Sequence, residues 1–165
     1  EMHQTKRGNQ WYFGMKAHIG ADAAHGLVHT LVTTAANVSD VTQAHALLHG
    51  EESLAFGDAG YQGAEKRPEH KATHTAWHVA MRYGKRKALP DTELGRLDEQ
   101  IEQIKASIRA KVEHPFHVIK NVFGLKKVRY RGLAKNTAQL FTLFGLANLV
   151  IAKRRLFELH AQGAS

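Results

Sequence analysis

The sequence predicts an α/β fold, a mixed sheet with flanking helices, and three observations carry that expectation. Residues 11–34 hold two strand-patterned runs separated by a glycine-bounded turn. A short apolar run at 53–58 ends in a turn with glycines at 57, 60 and 63. Apolar side chains then recur at helical spacing from Leu94 to Val112. A length of 165 residues, 43% of them hydrophobic with only 3 prolines, can supply a core and suits one domain over residues 1–165.

The elements follow in order. Trp11, Phe13, Met15, Ala17 and Ile19 alternate with mostly polar or small neighbours, the period of a half-buried strand. Gly20 to Gly26 turns the chain, and Leu27 to Thr34, rich in Val, Leu and Thr, completes an antiparallel hairpin. Ser39 and Asp40 offer caps for a short helix ending near Gly50. The strand Ser53–Asp58 comes next, and alternation returns from Thr75 to Met81 around Trp77 and Val79. The polar stretch Glu65–Thr75 and the basic Arg82–Lys87 read as loops. Asp91 or Thr92 caps the next helix, whose Leu94, Leu97, Ile101, Ile104, Ile108 and Val112 form a stripe expected in the core. Pro115 removes a hydrogen bond to Lys111, so the helix kinks there or a new one starts with Pro115. Gly124 ends that segment, and a last helix runs from about Lys135 to Leu159. Its apolar circumference packs against the sheet or against a second subunit, which leaves a homodimer of the full-length protein open.

Two acidic positions carry chemistry. Glu113 has Arg109 four residues before it and Lys120 seven after, and at 100° per residue both project within roughly 40° of it. A carboxylate between two cations suits metal-assisted phosphate chemistry, the acid binding a hard cation and the bases holding phosphates. A solvated helix face with ordinary ion pairs has the same spacing. Asp58 lies where a strand ends, and the glycines after it let the backbone approach a ligand closely. A turn aspartate bonding its own backbone is the plainer alternative.

Other groups weigh in. Lys126-Lys-Val-Arg-Tyr-Arg131 interleaves a ring with Lys126, Lys127, Arg129 and Arg131, the composition of a phosphate-contacting surface or of a solvated charge run. His70, His74 and His78 recur every fourth residue, which suits zinc only on a helix, and the third lies in a strand-like segment. A net charge of +8, before any of 12 histidines is protonated, favours a polyanionic partner such as nucleic acid. The longest apolar run, Leu140 to Ala152, contains Asn148 and is too short for a bilayer, so no membrane role is expected. The absence of cysteine excludes disulfides and thiolate metal sites and fits a cytoplasmic compartment.

Linked blocks go further. Lys6-Arg-Gly-Asn-Gln-Trp-Tyr-Phe-Gly-Met-Lys16, Ala35-Ala-Asn-Val-Ser-Asp40, Gly57-Asp-Ala-Gly-Tyr-Gln-Gly63 and Arg109 through Asn136 together resemble the DDE transposases of the insertion sequence 5 family, within the ribonuclease-H-like group. In the last block, Val112-Glu-His-Pro-Phe-His-Val-Ile-Lys120 is followed by Phe123-Gly124 and Arg129-Tyr-Arg-Gly-Leu-Ala-Lys-Asn136. The resemblance implies a ribonuclease-H-like mixed sheet, with Asp58 the second aspartate and Glu113 the glutamate of an acidic triad holding Mg²⁺ or Mn²⁺. It implies that Arg109 and Lys120 are the bases of a Tyr-x2-Arg-x3-Glu-x6-Lys pattern. The partners it implies are transposon ends and target DNA, met in a bacterial cytoplasm at the nucleoid.

The chain departs from the family's pattern at two points. Ala106 stands where the pattern has tyrosine. The family's first aspartate lies on a strand upstream of the Lys6 block, so this chain is expected to hold an incomplete catalytic domain, everything after the first central strand. Asp22, in a Gly/Ala turn, and Asp40, a helix cap, are poor substitutes. The alternative function is a catalytically dead, DNA-binding remnant. A helical interaction module built on the C-terminal segment is a third reading.

Overall fold

A computed structural model describes residues 1–70 and 73–163. The chain divides into two compact units, residues 1–38 with 111 onward, and residues 39–110.

The first unit is built on an antiparallel sheet ordered β1 (His3–Arg7), β2 (Gln10–Ala21), β3 (Val28–Ala35). Strand β2 pairs with β1 through its first half and with β3 through its second. Asp22 organises the β2–β3 turn: Oδ1 accepts from the Ala24 and His25 amides at 2.8 and 2.9 Å, and Oδ2 accepts from Leu27 at 3.2 Å. Burial alone would raise the Asp22 carboxyl, but these amides hold it below the usual range. Asp22 is therefore a turn organiser, as its Gly/Ala setting predicted.

Helix α3 (Leu133–Gly163) covers this sheet. Ile19 and Leu31 from the strands meet Phe144, Ala147 and Ile151 of α3 and Val118 and Ile119 in one buried cluster. Each large side chain so buried contributes about 1.5–3 kcal/mol. Asn148 fixes the helix against the strand, its Oδ1 accepting from the Val28 amide at 2.8 Å and its Nδ2 donating to the Val28 carbonyl at 2.7 Å. The apolar run at 140–152 is thus a core helix on one face, while Phe141, Leu146 and Leu149 are exposed. Among the described residues no helix is long and apolar enough to cross a membrane.

The second unit contains β4 (Leu54–Gly57) and β5 (Ala76–Val79), paired in parallel. Around them lie a 3₁₀ helix, Asp40–Leu47, and 3₁₀ turns at Ala59–Tyr61, Ala64–Lys66 and Pro68–His70. A short helix α1 (Tyr83–Lys87) precedes α2 (Glu93–His117), which supplies residues to both units. Buried Glu102 of α2 accepts from the Met81 amide at 2.9 Å and from Lys105 Nζ at 2.7 Å, and Lys105 also donates to the Val79 carbonyl at 3.1 Å. These bonds tie α2 to the end of β5.

Several expectations need correction. Strand β1 lies in a segment given no strand assignment, because His-Gln-Thr-Lys-Arg has no apolar alternation to read. Trp11 and Phe13, expected on a half-buried strand, are 67% and 68% exposed, since β2 buries only its second half. The stripe of α2 is not core: Leu94, Leu97, Ile101 and Ile104 are exposed, and only Ile108 and Val112 at its end are half-buried. Parts of the expected loops are ordered as 3₁₀ turns and as α1, and residues 71 and 72 of the first lie outside the described residues. Ser39 occupies the cap position without a side-chain bond, and Asp40 is the first helical residue. Thr92 is the cap of α2, its Oγ1 accepting from the Gly95 amide at 3.2 Å.

Pro115 neither starts a new helix nor ends α2, which runs on to His117 and passes into a π turn, Val118–Val122. The carbonyl of Lys111, which an amide at position 115 would normally engage, faces Gly26 of the β2–β3 turn. A Cβ on Gly26 would lie 2.8 Å from that oxygen, and Gly26 has φ +73°. Only glycine meets both demands.

Candidate catalytic and nucleic-acid site

The end of β4 places the first candidate carboxylate. Ala55 and Gly57 are buried and Asp58, the next residue, is exposed. Asp58 caps the turn Ala59–Tyr61, its Oδ1 accepting from the Gly60 amide at 2.8 Å. A turn aspartate bonded to its own backbone is therefore realised here, and that bond leaves Oδ2 for other work.

Asp40 joins it. A Cβ built on Gly60 would stand 2.9 Å from Asp40 Oδ2 and 3.0 Å from Asp58 Oδ1, so both carboxylates lie over the same bare Cα. Tyr61 folds back on the strand end, close enough that a Cβ on Gly57 would meet Tyr61 Cβ at 2.9 Å. Burial, and then the negative charge of Asp40 and Asp58, push the Tyr61 hydroxyl well above its ordinary range. It stays a neutral phenol throughout the physiological range. In the sequence Asp40 has the pattern of a cap, Asn-Val-Ser-Asp before a helical run. The signal that could have found it is its membership of the Ala35–Asp40 block.

Two carboxylates over a side-chain-free position offer hard oxygen donors of the kind Mg²⁺ and Mn²⁺ accept. This donor set fits a divalent ion and does not suit a soft metal.

Glu113 and Arg109 lie one turn apart on α2, Glu113 exposed and Arg109 half-buried. Among the described residues Glu113 has no ion pair. Lys120 is exposed on the π turn, its Nζ 5.7 Å from the centroid of the Phe116 ring. The expectation of a common face for Glu113 and Lys120 assumed regular α geometry, which the π turn interrupts. Glu113 and Lys120 belong to the first unit, and Arg109, Asp40 and Asp58 to the second.

The basic segment lies between the π turn and α3. Lys126, Lys127, Arg129 and Arg131 are all exposed, and so are Val128 and Tyr130 between them. Asn136, 1% exposed, ties down the end of the segment. Its Oδ1 accepts from the Tyr130 amide at 3.1 Å, and its Nδ2 donates to the carbonyls of Tyr130 and Gly132 at 2.7 and 2.6 Å. Exposed cations on a segment anchored at one end can meet the phosphates of a nucleic acid. In the sequence Asn136 only ends the Arg109–Asn136 block, with no local pattern that marks this anchoring role.

The three spaced histidines do not share a helix. His70 ends a 3₁₀ turn and is buried edge-on to Trp77 at 5.1 Å, His74 is exposed, and His78 lies on β5 stacked against Phe56 at 5.2 Å. Their spacing reflects a turn and a strand rather than one helical zinc-binding face.

No solved structure matches the chain significantly. The family model described as Transposase DDE domain matches residues 1–149, a span that contains the carboxylates of Asp40, Asp58 and Glu113 and the whole basic segment. Matched over most of its length, the chain belongs to the transposase DDE domain family.

Proposed function

We propose that the chain is the greater part of the catalytic domain of an insertion sequence 5-type DNA transposase, which binds transposon-end DNA and takes part in its metal-dependent cleavage and transfer. The observation that carries the reading is the pair of carboxylates, Asp40 and Asp58, over Gly60 at the tip of β4 in a chain of a transposase family. Asp58 and Glu113 would each offer a carboxylate to Mg²⁺ or Mn²⁺, and Asp40 would offer a further one beside Asp58. When bound, such ions stabilise charge on the phosphate and lower the pKa of an attacking water or 3′-hydroxyl.

The other residues bind and orient. Arg109 steadies Glu113 or a phosphate, and Lys120 holds a phosphate of the DNA. Lys126, Lys127, Arg129 and Arg131 follow the DNA backbone, and the neutral Tyr61 hydroxyl remains a proton donor beside the acids. A ribonuclease-H-like sheet is supported by the parallel β4–β5 pair and the antiparallel β1–β2–β3 set, which hydrogen-bond as separate sheets. In this reading the full-length protein also carries a strand bearing the triad's first aspartate. The exposed Leu149, Leu156 and Phe157 of α3 support a homodimer of that protein. The bacterial cytoplasm, at the nucleoid, is where its DNA substrate would be met.

The test is cleavage of a labelled element end by the protein extended upstream of Glu1, with Mg²⁺ and with EDTA. Cleavage that requires the metal is expected. Duplex binding with no cleavage under any metal would leave the DNA-binding remnant as the correct reading.

A further inference from the structure

The β1–β2 hairpin exposes rings that the site described above does not use. Trp11 and Phe13 are 67% and 68% exposed, far more than a strand's aromatic residues need be, and Tyr12 is 49% exposed. Residues i and i+2 of a strand point to one face, so Trp11 and Phe13 stand side by side about 7 Å apart. The register sets Lys6 opposite Trp11 and Gln4 opposite Phe13, on that same face. Lys6 Nζ lies 6.0 Å from the centroid of the Trp11 ring. Its cation and the ring therefore form one surface.

Charge decides between occupants. Residues 2–21 contain Lys6, Arg7 and Lys16 and no aspartate or glutamate, in a chain of net charge +8. A protein-docking patch needs apolar continuity, whereas here the neighbours across the strand are a lysine and an amide. Exposed rings side by side with a cation against one of them are a surface that unpaired bases stack on while the cation meets phosphate.

We propose that the exposed face of the β1–β2 hairpin, Trp11 and Phe13 with Lys6, binds single-stranded DNA by stacking unpaired bases. The inference rests on the reading that DNA is the substrate, and it adds a division of labour: the 126–131 segment takes duplex backbone and the hairpin takes unpaired bases.

The experiment measures binding of residues 1–165 to a labelled 15-nucleotide oligothymidylate and to a blunt 15-base-pair duplex. Four proteins are compared: the unaltered chain, Trp11→Ala/Phe13→Ala, Trp11→Phe/Phe13→Tyr, and Lys126→Ala/Lys127→Ala/Arg129→Ala. Losing two stacking rings should weaken oligothymidylate binding at least tenfold and change duplex binding less than twofold. Ring-retaining replacements should restore the single-strand affinity. Oligothymidylate should also quench tryptophan emission in the unaltered chain, and much less in Trp11→Phe/Phe13→Tyr, which keeps Trp77. If the basic-segment variant binds duplex normally while the alanine pair still loses single-strand binding, the 126–131 assignment fails and the hairpin proposal stands. Equal oligothymidylate affinity for the unaltered and alanine-pair proteins, with unchanged circular dichroism, overturns it. Loss of a concentration-dependent dimer in sedimentation, with single-strand affinity intact, would also overturn it and identify the face as a contact between copies.

Discussion

At Gly60 a single methyl group should separate binding from chemistry. Gly60→Ala would put a Cβ within 3.0 Å of oxygens on both Asp40 and Asp58, and misplacing a reacting constellation by even 1 Å can cost about a hundredfold in rate. In the upstream-extended protein, cleavage should fall by about that factor while duplex affinity holds, as measured by cleavage kinetics beside anisotropy. Buried His70 sets a pH dependence in the same unit. Burial first, then His45 and Arg67, pull its pKa below the ordinary 6.5, against the opposing charge of Glu69. The unfolded chain then binds the proton more readily, so the stability this neutral histidine supports is intact above pH 6.5 and is lost as pH falls below it. Denaturant melts at pH 7.5 and 5.5 should differ, and His70→Phe should reduce the difference. Of these residues, Asp58 had its place at a strand end legible in the sequence, because a strand ending in a glycine-punctuated turn is a local pattern. His70 could not, and Asp40 only through its membership of the Ala35–Asp40 block, because their contacts with Trp77 and Gly60 lie at sequence separations of 7 and 20 that periodicity does not encode.

Among the elements, those with an alternating or helical apolar signal were legible: β2, β3, β4, β5, α2 and α3 all form close to their expected spans. The misses share a cause. Strand β1 is polar throughout and is held by backbone pairing to β2, so its side chains do not announce it. The α2 stripe had the right period, but period reports an apolar face without saying what covers it. The basic segment was legible as charge, whereas its brace was not. Asn136→Ala removes three bonds from a buried side chain and should cost roughly 2–3 kcal/mol of stability, measurable in a urea melt. Changing Lys126, Lys127 and Arg129 to alanine should leave the melt nearly unchanged, since all three are exposed. It should flatten the slope of log duplex affinity against log salt by up to about three units.

For the whole molecule, family membership and a net charge of +8 agree on a DNA substrate. Composition reported the charge and the linked blocks reported the family, but the division into two units and two separately paired sheets needed coordinates. In the proposed function, carboxylates carry the chemistry while surface cations carry the affinity. The most direct measurement follows cleavage rate and duplex affinity side by side in the upstream-extended protein. Asp58→Ala and Glu113→Ala should each abolish Mg²⁺-dependent cleavage and retain most DNA affinity, because metal ligands act on the transition state. The triple change at 126, 127 and 129 should lower affinity and leave cleavage at saturating protein intact. Cleavage that survives Asp58→Ala or Glu113→Ala would contradict the account.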